Sequence, residues 1–235
     1  MSSEFRVAII GWHEGLAGVI DSWLPVVGIR VDYFISVNEK HLNVDSSAHL
    51  RFGNTKFAYP SKHYFKGRPL IEDSFWYANA AKYPVDGFII ALDQNEERTI
   101  HINEALARDV NLVNAIHPSV KILGDVSIGQ NCILHAGATV GYKVILGNGV
   151  ILNTGSQLDH HVVVEDGVTI DPGCVVAGNV LIKKFATLHT STTVINKIVI
   201  GAKSVTGAGS VVIRDVQENS TVVGVPAKPL GSSQL

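Results

Sequence analysis

Cysteine is scarce in this chain: only Cys132 and Cys174 occur among 235 residues. Two thiols give no basis for a disulfide-stapled secreted scaffold. Both fall on small-residue positions of the repeat described below, so they are read as reduced core residues rather than a catalytic thiol. Charge is also sparse, at 17% of residues with a net charge of −2. That balance gives no reason to expect a nucleic-acid partner or an anionic membrane surface. No apolar run is long enough to cross a bilayer. The start, Met1-Ser2-Ser3-Glu4-Phe5, lacks the basic stretch and apolar run of a signal peptide. The expectation is a cytoplasmic protein. The dinucleotide fingerprint is missing too, because His13 stands where a second glycine after Gly11 belongs. NAD is therefore not expected. What remains is ample: 46% hydrophobic residues, enough for two modest cored domains.

The stretch from Ile116 to Val216 counts in sixes. Every sixth residue from Ile116 is aliphatic through Ile122, Ile128, Leu134, Val140, Leu146, Leu152, Leu158, Val164, Ile170, Val176, Ile182, Leu188, Val194 and Ile200, then Thr206 and Val212. Four places on, a second set is small or β-branched and includes Cys132, Ser156, Cys174, Ala186 and Ser204. A helix repeats at 3.6 and a simple strand at two, so a sustained six fits neither alone. It fits a parallel β-helix, in which three short strands make one coil and each coil buries its neighbour's inner face. An ordinary β-sandwich would need irregular turns that break the count.

The front half reads as a small α/β unit. Arg6–Gly11, Gly28–Val37 and Asp86–Leu92 form apolar strands, and Leu16–Leu24 a helix. Asp93 and Glu96 are spaced as a capping box for a second helix running to about Asp109. Glycines at a strand end point backbone N–H groups at an anion, so Gly11 and Gly15 are candidate nucleotide-phosphate contacts, and His13 and Asp93 stand with them as candidate substrate-binding residues. The region from Asn38 to Tyr83 is aromatic and aperiodic, and is read as an excursion packed on the sheet. The fold expected is a Rossmann-like parallel α/β domain, residues 1–110, followed by a β-helix domain with a C-terminal tail, residues 111–235.

With this register, the ending Gly207-Ala208-Gly209-Ser210 through Gly224-Val225-Pro226-Ala227-Lys228 resembles the C-terminal signature of the left-handed β-helix acyltransferases. The α/β domain in front is similar to the sialic-acid and bacillosamine branch. That resemblance implies left-handed coils and transfer of an acetyl group from acetyl-CoA to the amine of a nucleotide-linked amino sugar. It implies a homotrimer with sites between subunits, and no metal. It places the catalytic pair on Asp159 and His160, and substrate contacts on Asn153 and Thr154. Thr169 stands where some relatives carry a second histidine. His161 stands where an acidic residue is common. The CoA tail is expected along an outer groove towards Ala208 and Pro226.

The count supplies its own argument about His160. Eighteen residues make one coil, so position 160 stacks beneath Gly178. His160 lies just past the inward Leu158, at a corner, and should face outward. Glycine above it leaves a groove and a reachable N–H for an oxyanion. The imidazole can take the amine's proton near neutral pH. Asp159 or His161 tunes His160 or holds the sugar, and strand alternation allows only one of them on its side. A rival use of histidine is the column His135, Asn153, Asp171 and His189, each one coil apart. Rungs at strand spacing spread such ligands too widely for one ion, so a polar outer ladder is the reading taken. Rival functions are a longer acyl-CoA or hydroxyl acceptor on the same fold, and a non-catalytic trimeric scaffold.

Overall fold

The computed structural model describes residues 4–38 and 63–231. It divides into two compact units, Met1–Val113 and Asn114–Leu235. Among the described residues no helix is long and apolar enough to cross a membrane.

In the first unit, strand β1 (Phe5–Ile10) is buried through Val7, Ala8, Ile9 and Ile10. A wide helical turn at Glu14–Gly18 leads into helix α1 (Val19–Trp23). The helical segment thus starts two residues earlier than expected. Strand β2 (Ile29–Ser36) follows, then β3 (Tyr64–Phe65), β4 (Arg68–Glu72) and β5 (Gly87–Ile90). The sheet order is β3-β4-β2-β1-β5, parallel except for β3.

Helix α2 (Asn95–Leu106) corrects the capping box. Its N-cap is Gln94, and no side chain caps it. Asp93 sits one residue too early, and its carboxylate lies 3.4 Å from His13 Nδ1 instead. The turn is shaped by fully buried Arg98, which donates to the Leu92 carbonyl at 2.8 Å and to Asn95 Oδ1 at 2.9 Å.

The aromatic excursion is described only from His63 onward; Phe52, Lys56, Phe57, Tyr59 and Lys62 lie outside the described residues. In the described part, Phe65 packs edge-on to Phe34 at 4.8 Å and buried Trp76 lies 5.0 Å from Phe88. These rings pack on the sheet, as read. The short strands β3, at the sheet edge, and β4, next to it, lay unread in that region, because no periodicity marks them.

The second unit is a stack of two-residue parallel strands from β6 (Ala115–Ile116) to β22 (Val211–Val212), arranged in three sheets. Register confirms the coil length: Thr139 pairs with Gln157, and Gln157 with Val175. The inward positions form one core from Cys132 to Val222. Ile122 is the exception, at 43% exposed, because it belongs to the first coil and no rung lies beneath it. Thr206, the one polar residue on the six-count before Val212, is buried and bonds Thr192 Oγ1 at 2.8 Å. The two cysteines are free and buried. Burial pushes the Cys174 thiol up to about 11, which suits a core residue and not a nucleophile.

Corners use glycine for two reasons. Gly155 stands at φ 68, in left-handed backbone. At Gly141 a Cβ would come within 2.7 Å of Leu158 O, so only glycine lets the rungs close.

Candidate functional site

His160 stands at the corner between β13 (Gln157–Leu158) and β14 (Val163–Val164). It is exposed at the edge of the coil, facing away from the core. Its ring lies against Gly178, one rung up. A Cβ built at 178 would fall 2.4 Å from His160 Cε1 and 2.5 Å from Nε2. The sequence count places an open groove there, and the structure fills it with the imidazole itself. Glycine is needed because the ring takes the volume of a side chain. The rungs are locked around it: Asn179 donates its N–H to the His160 carbonyl at 3.0 Å. The Gly178 N–H meets no acceptor among the described residues.

The two neighbours of His160 take different parts. The Asp159 carboxylate accepts the His160 main-chain N–H at 2.8 Å. The ring is met instead by His161, Nδ1 to Nδ1 at 3.0 Å with the planes at 84°. Alternation predicts that one of the pair Asp159 and His161 shares the side of His160, and it does not say which. His161 is at φ 57, in left-handed corner backbone, so the alternation of a strand does not apply. Tyr142, one rung below, meets the His161 ring edge-on at 5.8 Å.

Asn153, Thr154 and Ala208 share a different edge of the coil. There Asn153 Nδ2 donates to Asp171 Oδ1 at 3.1 Å, and His189 Nδ1 bonds Asp171 Oδ2 at 2.8 Å. This is a polar ladder over three rungs. His135 lies lower on the same column, and its burial, with a smaller effect of His117, pushes its pKa down to about 4. Thr154 is exposed, and its carbonyl accepts the Gly173 N–H at 3.0 Å. Among the described residues no three His, Cys, Asp or Glu side chains gather as a metal site. Thr169 opens a strand of the third sheet, β15 (Thr169–Ile170), and Pro226 follows the last coil and is exposed. Within one chain, His160 and Gly178 come together, and Asn153, Thr154, Thr169, Ala208 and Pro226 do not join them.

The first unit gathers its own candidates. The chain leaves β1 for β2 on one side and returns to β5 on the other, so the carboxyl ends of β1 and β5 form a switch point. At Gly11, φ 121, a Cβ would strike the Ala91 carbonyl at 2.3 Å. The His13 ring lies over Gly15, whose Cβ would fall 3.0 Å from His13 Cε1. With Asp93 beside His13, all four predicted residues stand at one sheet end. The sequence did not single out Arg98 or Tyr142. A polar residue inside an otherwise helical stretch was the only signal for the first.

The fold defines the class: a left-handed parallel β-helix of stacked hexapeptide coils, preceded in the sequence by a small α/β unit, as in solved hexapeptide-repeat sugar acetyltransferases. No protein-family model matches the chain, and no curated protein matches it. Solved structures do. Perosamine N-acetyltransferase from Caulobacter crescentus, a variant with one histidine replaced by asparagine, in complex with CoA and GDP-perosamine, is 26% identical with a TM-score of 0.81, over 97% of each chain. The acetyltransferase domain of PglB from Neisseria gonorrhoeae, in complex with acetyl coenzyme A, is 24% identical with a TM-score of 0.79, over 97% of this chain and 100% of that one. WeeI from Acinetobacter baumannii is 20% identical with a TM-score of 0.70, over 96% of this chain and 100% of that one. The last two speak for the fold alone. The family resemblance read from the sequence holds.

Proposed function

We propose that this chain is an N-acetyltransferase that moves an acetyl group from acetyl-CoA to the amine of a nucleotide-linked 4-amino-4,6-dideoxy sugar. The observation that carries the reading is the outward His160 imidazole seated on Gly178. The similar Caulobacter enzyme, bound to CoA and GDP-perosamine, supports the substrate class and favours a guanosine diphosphate sugar.

In this reading the sugar amine attacks the thioester carbonyl. The C–N bond forms, the C–S bond breaks, and CoA leaves as the thiol. His160 takes the proton that nitrogen must lose and gives it to the departing sulfur. The Gly178 N–H stabilises the oxyanion of the tetrahedral intermediate, a contribution of roughly 3 kcal/mol in comparable sites. Asp159 holds the corner through the His160 main chain. The chain works as a homotrimer, in which the edge bearing Asn153, Thr154 and Ala208 of one copy faces the His160 edge of the next. Thr169 and Pro226 line the CoA groove. In the first unit, Gly11 and Gly15 let backbone approach the diphosphate, His13 donates to it, and Asp93 holds His13. Two reduced, buried cysteines and a CoA co-substrate fit a cytoplasmic enzyme.

Replacing His160 by alanine tests this. Turnover with acetyl-CoA and GDP-perosamine should fall about 100-fold or more while the oligomer stays intact. Full activity in that variant would remove the base. A non-catalytic scaffold predicts no turnover in the unchanged protein with any amino sugar.

A further inference from the structure

The corner that carries His160 also carries a second imidazole, and the two rings touch through their Nδ1 atoms. The distance is 3.0 Å and the planes are nearly perpendicular. One nitrogen must donate and the other accept, since two lone pairs at that distance repel. We infer that His161 is the positioning residue of the base: its Nδ1 accepts the Nδ1–H of His160 and leaves His160 Nε2 as the nitrogen that takes the proton. This rests on the reading of His160 given under Proposed function.

Three observations support the assignment. His161 is fixed in left-handed backbone at φ 57, and its N–H donates to the Tyr142 carbonyl at 2.8 Å, so the ring is launched from a held position. The Tyr142 ring backs it edge-on at 5.8 Å. The nearby carboxylate of Asp159 is occupied with the main chain.

The chemistry of a neutral partner differs from that of a carboxylate. With its Nδ1–H given to an uncharged partner, His160 keeps the lone pair on Nε2. When Nε2 gains the amine's proton, His160 becomes an imidazolium, and its Nδ1–H bond to His161 becomes charge-assisted. The contact strengthens only as the proton moves, and such contacts accelerate the step rather than tighten the ground state. A carboxylate there would favour the protonated ring before the substrate arrives. The charged and titratable groups around the pair are Asp159 on the same corner and Tyr142 and Lys143 below, with Lys143 Nζ over the Tyr142 ring at 5.1 Å. Above lie neutral Gly178 and Asn179, then Lys197, whose N–H donates to the Gly178 carbonyl.

The test compares His161→Ala, His161→Asn and His161→Asp in the full-length protein, by steady-state kinetics from pH 5.5 to 9. Asparagine and aspartate both tolerate left-handed backbone. The alanine variant should lose about 10- to 100-fold in kcat, with KM for both substrates within about threefold. Asparagine, whose carbonyl accepts the same N–H, should recover most of that loss. Aspartate should move the acid limb of kcat/KM to higher pH. Alanine with unchanged kcat, or equal losses in all three together with lost oligomer, would overturn the assignment. If His160→Ala also retains full activity, the fault lies with the base itself; if only the His161 variants are silent, it lies here.

Discussion

Two edges of one β-helix share the same rung spacing and the same corner backbone, and they are put to opposite uses. On the edge of Asn153, Asp171 and His189, each corner side chain bonds the next rung. On the edge of Tyr142, His160 and Gly178, the column is interrupted by a glycine, and an imidazole settles on it. A repeat makes every corner equivalent in geometry, so chemistry enters only through which side chain a rung carries and which it omits. A ladder that satisfies itself stiffens the stack. A ring with an empty position above it keeps a free nitrogen.

The largest break in this comparison is Gly178→Ala. The added Cβ would stand 2.4 Å from His160 Cε1, so the ring must leave. It can, because it is the far end of an exposed side chain, and the fold should hold with Tm within a few degrees of the parent. The proposed base, however, is displaced by an ångström or more, and displacements of that size cost about 100-fold. We expect kcat/KM to drop by at least that factor. Unchanged turnover would show that the seat on Gly178 has no bearing on the chemistry.

The second test asks whether the other edge senses pH through stability instead of turnover. His135 is buried, with its pKa pushed down to about 4 by desolvation first and His117 second. The unfolded chain takes that proton near pH 6.5, and the folded chain refuses it until about pH 4. Folding is therefore favoured fully above pH 6.5, and the advantage is lost as pH falls through that window. At pH 5 the loss is about 2 kcal/mol. His135→Gln removes the titration. In urea unfolding at pH 7 and pH 5, the variant should lose about 2 kcal/mol less than the parent between the two pH values. Equal slopes would mean that the imidazole is protonated in the folded state.

What was legible in the sequence follows from the same arithmetic. A count of six, multiplied to eighteen, carries a residue's position from one rung to the next, so the juxtaposition of His160 and Gly178 could be read before any coordinates. Which neighbour meets the ring lies beyond the reach of the count. Strand alternation assumes extended backbone, and His161 has left it at φ 57. The capping box on Asp93 failed because its carboxylate faces His13, eighty residues earlier in the chain and far beyond any local pattern. Strands β3 and β4 stayed hidden because such short strands carry too few residues to show a period.

The smallest effect concerns Gly155, and it separates two meanings of glycine in a repeat. Gly178 is glycine for want of space. Gly155 has open space, with no atom within 4 Å of a built Cβ, and is glycine for its φ of 68. Other corners hold the same backbone without glycine: Ser191 at φ 60 in the same column, Asn131 at φ 55 and Asn179 at φ 61 elsewhere. Asparagine bonds its own backbone in that conformation and narrows the unfolded ensemble relative to glycine. Gly155→Asn should therefore change stability by no more than about 0.5 kcal/mol, measured by urea unfolding at pH 7, with turnover within about threefold of the parent. A loss of several kcal/mol would mean that this corner, like Gly178, is short of room, and the distinction between the two edges would fall with it.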